Sequence, residues 1–226
     1  MQCPDIPAHL TPGARLRDRN APDRADLPTL SEVFAETATD GAVTGFVCAQ
    51  LAQADKPVLW VQDHVSRREA GRPYLAGLPA GLRVIHVQVS RPVDALWAME
   101  EALGCDGLSA VLGEVWGDPP ALDFTATKRL ALRAEARALP CFLIRRAASA
   151  NLSAARLRWR VSSLPARLHP DDPRAPGDPL WRAELFRARW RNPGEWVASH
   201  DAGGLHLDHA SPQPPQVDVP DAAARA

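Results

Sequence analysis

The sequence predicts an α/β fold, a mostly parallel sheet flanked by helices and followed by a C-terminal antiparallel β extension. Two observations predict it. Residues 83–117, RVIHVQVSRPVDALWAMEEALGCDGLSAVLGEVWG, contain a strand, a helix and a second strand in one run, the βαβ crossover of parallel sheets. Beyond residue 150, polar and apolar residues alternate in short pieces, the mark of antiparallel strands with one wet face.

Residues 1–28 hold Pro4, Pro7, Pro12, Pro22 and Pro28 with little apolar periodicity, and an irregular segment is expected there. Order is expected from Leu30, where SEVF suggests a short strand, and ETATDGAVTGF then turns the chain into a helix over 43–52. VLWVQ, residues 58–62, is the next strand and runs into Asp63 and His64. Gly71, Pro73, Gly77, Pro79 and Gly81 punctuate residues 64–82, which are expected to form a loop.

In the crossover, residues 83–89 are rich in β-branched side chains, and Ser90 and Pro92 supply a helix start: a hydroxyl can accept an orphan amide bond, and proline fits the first turn. Val93, Leu96, Trp97, Glu100 and Leu103 follow at helical spacing and predict the buried face, with Gly104 as the stop. Residues 108–115 are almost continuously apolar, as expected of a parallel strand covered on both faces. Asp123 or Thr125 caps a further helix, Pro140 closes it, and residues 141–145 form another parallel strand. RLRWRVSS, LWRAELFRARW, EWVASHD and LHLD are the antiparallel strands, with a hairpin region over 165–179. Residues 211–226 are expected to be a disordered tail, which leaves 29–210 as one domain.

Composition narrows the function classes. With 226 residues, 46% of them hydrophobic, the chain can bury one substantial core, and a net charge of -1 favours neither a polyanion nor a membrane surface as a global partner. Cys3, Cys48, Cys105 and Cys141 are far apart, with no CxxC and no secretion signal, so a reduced cytoplasmic protein is expected. No apolar run approaches the roughly 18 residues that a spanning helix needs.

A nucleotide-binding protein of this class needs a phosphate loop after its first strand, where backbone amides and a lysine neutralise the phosphates. ETATDGAVTGF contains no GxxxxGK[ST] and no lysine, and Asp40 beside Gly41 puts a negative charge where phosphate would sit. Glu114 fills the acidic position at the end of the second crossover strand. Without a loop lysine it reads as a solvent-facing carboxylate rather than a magnesium ligand. Asp63 and His64 follow a strand, as active-site residues often do, but a solvated turn explains them. His206 and His209, with His200 and Asp201, lack the spacing of a metal site, and no metal or cofactor is expected.

Arg129, Arg133 and Arg137 recur every fourth residue and form a charged stripe opposite Thr127, Leu130, Ala131, Ala134 and Ala138, which reads as a solvated face. Residues 145–191 hold eleven arginines against Asp171, Asp172, Asp178 and Glu184, a local balance of +7, with tryptophans interleaved. Such a stretch can grip single-stranded nucleic acid, and Arg156, Arg158, Arg160, Arg187 and Arg189, with Arg129, Arg133 and Arg137 of the stripe, are the candidates for nucleic-acid or partner contact. Alternation nevertheless puts Leu157, Trp159 and Val161 on the face opposite Arg156, Arg158 and Arg160, so Trp159 is expected to point into the core.

The blocks GRPYLAGL, RPVDALWAMEEAL, SAVLGEVW, LDFTATKRLALRAEA, RLRWRV and LWRAELFRARWRNPGEW, in that order, resemble the ImuA family of bacterial damage-induced mutagenesis. The resemblance covers residues 30–207 and implies a RecA-like core. It also implies an accessory role in SOS-regulated, error-prone translesion synthesis, beside an ImuB-like protein, a DnaE-type polymerase and the RecA recombinase. In this chain Asp40 and Gly41 stand in place of the glycine and lysine of working RecA proteins, and Glu114 in place of the second acid, so a pseudo-ATPase without catalytic residues is expected. A single-strand DNA-binding module, a cell-division inhibitor resembling SulA and a residual ATPase are the alternatives. Residues 1–27 do not match the family's basic, helical beginning.

Overall fold

The computed structural model describes residues 28–172, 174–201 and 204–209; the expectations for 1–28 and 211–226 lie, apart from Pro28, outside them. The described residues form β1 (Leu30–Ala35), α1 (Ala42–Gln50), β2 (Val58–Asp63), α2 (His64–Ala70), β3 (Val84–Val89), α3 (Pro92–Ala102) and β4 (Ala110–Trp116). These are followed by α4 (Phe124–Arg137), β5 (Cys141–Arg146), β6 (Leu157–Leu164), β7 (Leu180–Ala188), β8 (Gly194–Asp201) and β9 (Gly204–His209). All nine strands lie in one sheet, in the order β3-β2-β4-β5-β1-β6-β7-β8-β9. Pairing is parallel from β3 as far as β6, and antiparallel from β6 to β9. The fold is therefore the predicted α/β class with its antiparallel extension, consistent with a RecA-like core.

Two layers of apolar side chains flank the sheet. On one face α1 buries Val43, Phe46 and Val47 against Val33, Trp60, Phe142, Trp159 and Trp181. On the other, α3 and α4 bury Leu96, Met99, Leu103, Leu130 and Ala134 against Leu30, Val111 and Leu143. Period-two alternation decides which side chain goes where: Leu157, Trp159 and Val161 of β6 are buried on the α1 face, as expected. Strand β6 joins the two halves, lying parallel to β1 and antiparallel to β7, with a register shift between Arg158 and Trp159.

The structure corrects four local expectations. The stretch expected to be a loop opens with α2, whose Asp63 cap accepts from the Ser66 amide at 2.6 Å and which Gly71 ends with φ of 83°. A helix this short shows no apolar period, so only its cap could have betrayed it. Helix α3 is turned relative to its predicted stripe: Ala95, Leu96, Met99, Glu100 and Leu103 are buried, whereas Val93 is 45% and Trp97 66% exposed. Gly113 of β4 explains the rotation, since a Cβ there would lie 2.2 Å from Met99 Sδ. The missing side chain makes a dent that seats Met99. Ser90 does not cap this helix; Arg91 occupies that position and pairs with Asp94 at 2.7 Å. Helix α4 is capped by Asp123, which accepts from the Ala126 amide at 2.7 Å. It ends on Ala138, expected on the buried face but exposed, in a left-handed conformation.

Candidate functional site

The loop between β1 and α1 stands where a phosphate loop would. Asp40 is turned toward β6: its carboxylate accepts from the Ala42 amide at 2.8 Å, from Ser163 Oγ at 2.6 Å and from the Ser163 amide at 2.8 Å. Partial burial pushes the Asp40 carboxyl upward, but the hydrogen bonds from Ser163 and Ala42 and the nearby Arg146 charge outweigh it, and the group titrates below its ordinary 3.8. With Asp40 and Gly41 in the glycine and lysine places of the eight-residue motif, the hydroxyl position falls on Ala42. Gly41 has no side chain and Ala42 is 3% exposed, so the loop carries neither a cation nor a hydroxyl at those places.

A cation nevertheless reaches the loop from beneath. Arg146, the last residue of β5, donates through Nη1 to the carbonyls of Ala38 at 3.0 Å and Asp40 at 2.8 Å, and through Nη2 to Thr44 Oγ1 at 2.9 Å. Its Nε donates to Glu114 of β4. Glu114 and Arg146 lie on one face because Glu114 pairs with Ile144 and Trp116 with Arg146 in parallel register. The second Glu114 oxygen accepts from Trp60 Nε1 at 3.3 Å and Gln62 Nε2 at 3.0 Å. Gln62 passes the network on to the Gly71 carbonyl at 2.8 Å and to His86 at 3.2 Å.

Glu114 is only 2% exposed, which corrects the expectation of a solvent-facing strand end. A buried carboxylate must be paired, and the partner was missed because it lies on another strand. Burial pushes the Glu114 carboxyl above its ordinary value, against the opposing pull of Arg146, Trp60 and Gln62. Asp63, 1% exposed, is occupied with capping α2 and with the Trp116 amide at 3.2 Å; His64 is exposed and shares no hydrogen bond with it. Beside the loop a cleft of about 450 Å³ is lined by Gly41, Thr44, Tyr74, Leu78, Trp181 and His200.

Among the described residues no three His, Cys, Asp or Glu side chains converge on a metal-sized space. His206 bonds Asp201 at 2.9 Å, and the side chain of His209 lies outside the described residues.

The basic candidates divide into two groups. Arg129, Arg133 and Arg137 are exposed, as a solvated face requires, and reach across the surface to α3 and the turn after it. Arg129 meets Glu100 at 2.8 Å, Arg133 the Glu100 carbonyl at 2.9 Å and Arg137 Asp106 at 3.9 Å. Arg156 pairs with Glu135 at 2.6 Å, Arg158 is buried against Glu32 at 2.7 Å and Arg160 pairs with Glu184. Arg145, Arg146 and Arg182 are also paired, with Glu32 and Asp118, with Glu114, and with Glu195. The local balance of +7 thus overstates the free charge, because many of the neutralising acids are remote in sequence. Arg187 and Arg189 differ: both are exposed, and no carboxylate among the described residues lies within ion-pair distance of either.

No helix of the described residues is long and apolar enough to cross a membrane. No family model matches the chain. Two curated proteins, each named Protein ImuA, from Caulobacter vibrioides strains NA1000 / CB15N and ATCC 19089 / CIP 103742 / CB 15, are 33% identical to it over 159 residues. The match takes in 65% of this chain and 62% of theirs, so the chain spans less than two thirds of the length of these relatives.

Proposed function

Because the chain is a homologue of the ImuA proteins, we propose that it is a non-catalytic accessory protein of damage-induced, error-prone DNA synthesis that acts through contacts with other proteins. The observation that carries the second half of this reading is the polarity of the loop after β1. A phosphate cradle aims backbone N–H groups at a common point. Here two carbonyls, those of Ala38 and Asp40, converge on the guanidinium of Arg146, so the loop is arranged around a cation that the chain itself supplies. Glu114 then cancels that cation's charge and is itself left without a free oxygen for magnesium. Asp40 adds a second negative group to the loop, and its carboxylate already takes the Ala42 amide.

The partners implied by the family resemblance, an ImuB-like protein, a DnaE-type polymerase and the RecA recombinase, are the first to examine by co-purification from damaged cells. Isothermal titration with magnesium-ATP tests the pseudo-ATPase reading. No saturable heat is expected, and a clear affinity abolished by Glu114→Ala would overturn it.

A further inference from the structure

We infer that the groove between α4 and the adjoining ends of β6 and β7 is a docking site for an acidic segment of a protein partner bearing two apolar anchors. The groove encloses about 640 Å³. One wall is a ridge of Phe124, Lys128 and Leu132, every fourth residue of α4, which runs roughly 12 Å along the helix. Phe124 is 43% and Leu132 48% exposed. The stripe of Arg129, Arg133 and Arg137 is exposed as well but reaches acceptors on α3 and the turn after it, whereas this ridge faces the groove. The opposite wall carries Arg156, Arg187 and Arg189.

Charge and shape together choose the occupant. Glu135 neutralises Arg156, which leaves Lys128, Arg187 and Arg189 around the groove with no carboxylate within ion-pair distance among the described residues. Three cations flanking two exposed apolar side chains match a segment in which carboxylates lie between two hydrophobic residues, one for each end of the ridge. Single-stranded DNA would need successive free ring faces on which to stack its bases. The groove does not supply a succession of them: Phe124 is its single exposed ring, Leu132 is aliphatic, and the neighbouring Trp190 lies beneath the guanidiniums of Arg156 at 5.8 Å and Arg189 at 5.5 Å.

The inference rests on the accessory-protein reading only for what the groove serves, and the two fail separately. Nucleotide binding would overturn that reading and leave the groove's chemistry standing. The test is selection of a random peptide library displayed on phage against the full chain, followed by fluorescence polarisation of the recovered peptides. Enriched sequences are expected to be acidic with two separated apolar residues. Their affinity should fall about ten-fold or more in Arg187→Glu and in Leu132→Asp, and stay unchanged in Arg68→Glu on α2. Lys128→Glu is the second charge variant, and thermal melts confirm that each variant is folded. Enrichment of neutral or basic peptides, or affinities indifferent to the groove substitutions, would overturn the inference. So would tight binding of fluorescein-labelled oligo(dT) that falls steeply with salt and is lost in Arg187→Glu, since the groove would then be a nucleic-acid site.

Discussion

Glu32 and Arg158 occupy directly opposed positions on β1 and β6, and their side chains meet at 2.7 Å in the interior of the sheet. The glutamate is fully buried and also receives Arg145 from β5 at 3.4 Å, so one carboxylate ties together three neighbouring parallel strands. Phe34 and Phe186 cover the arginines, with Arg158 5.2 Å and 5.3 Å from the two ring centres. A buried pair of this kind is costly to break because the survivor keeps its charge with nothing to oppose it.

Glu32→Ala is therefore expected to cost about 3 to 5 kcal/mol in urea denaturation. The double variant Glu32→Leu with Arg158→Met should recover part of that loss, since it removes both charges and keeps apolar volume. A single-variant cost under about 1 kcal/mol would contradict the pairing.

Asp40 gives the chain an acid-sensitive contact. Its folded-state pKa is below the ordinary 3.8, so the stability it contributes is present above that value and is lost as pH falls through the lower, folded one. The stability gap between the wild-type protein and Asp40→Asn should be constant near neutral pH and shrink only below pH 3.8. A gap that narrows between pH 8 and 5 would show that another group controls the contact.

Thiol chemistry should sort the described cysteines sharply. Cys48 and Cys141 are buried and Cys105 is exposed. Burial, helped by the Glu114 charge, pushes the Cys48 thiol up to about 12, and burial alone raises Cys141. Iodoacetamide followed by peptide mapping should label Cys105 within minutes and leave Cys48 and Cys141 unmodified until the chain unfolds. Rapid labelling of Cys48 in the folded protein would show that α1 opens locally.

Gly113→Ala tests the seating of α3. The added Cβ would fall 2.2 Å from Met99 Sδ and 3.3 Å from Leu143 Cδ1, and Met99 is fully buried with little room to retreat. A loss of about 1 to 3 kcal/mol is expected. Adding Met99→Ala should cost less in the Gly113→Ala background than in the wild type, because the second change relieves the clash created by the first. Strict additivity would place Met99 elsewhere.

The order and type of most elements could be read from the sequence because alternation, helical spacing and caps are local signals. The antiparallel strands followed from RLRWRV and LWRAELFRARW, and the α4 cap from Asp123. The rotation of α3 was not legible, because it depends on a glycine dent in a strand fourteen residues after Met99. The ion pairs were hidden for the same reason: Glu32 and Arg158 are 126 positions apart, and Glu114 and Arg146 are 32 apart. A signal did exist. Glu32 in SEVF and Arg145 and Arg146 in FLIRR are charges within strands that a parallel sheet covers on both faces, and such charges require partners.

Helix α1 packs under the antiparallel strands so closely that a Cβ on Gly45 would come 2.6 Å from the indole of Trp181, and Ala198, Leu205 and Leu207 share the same apolar layer. The C-terminal strands therefore act as the roof of the first helix. Progressive truncation from that end should not peel away a dispensable appendage; it should strip α1 of its cover, and the whole sheet is expected to melt in a single transition.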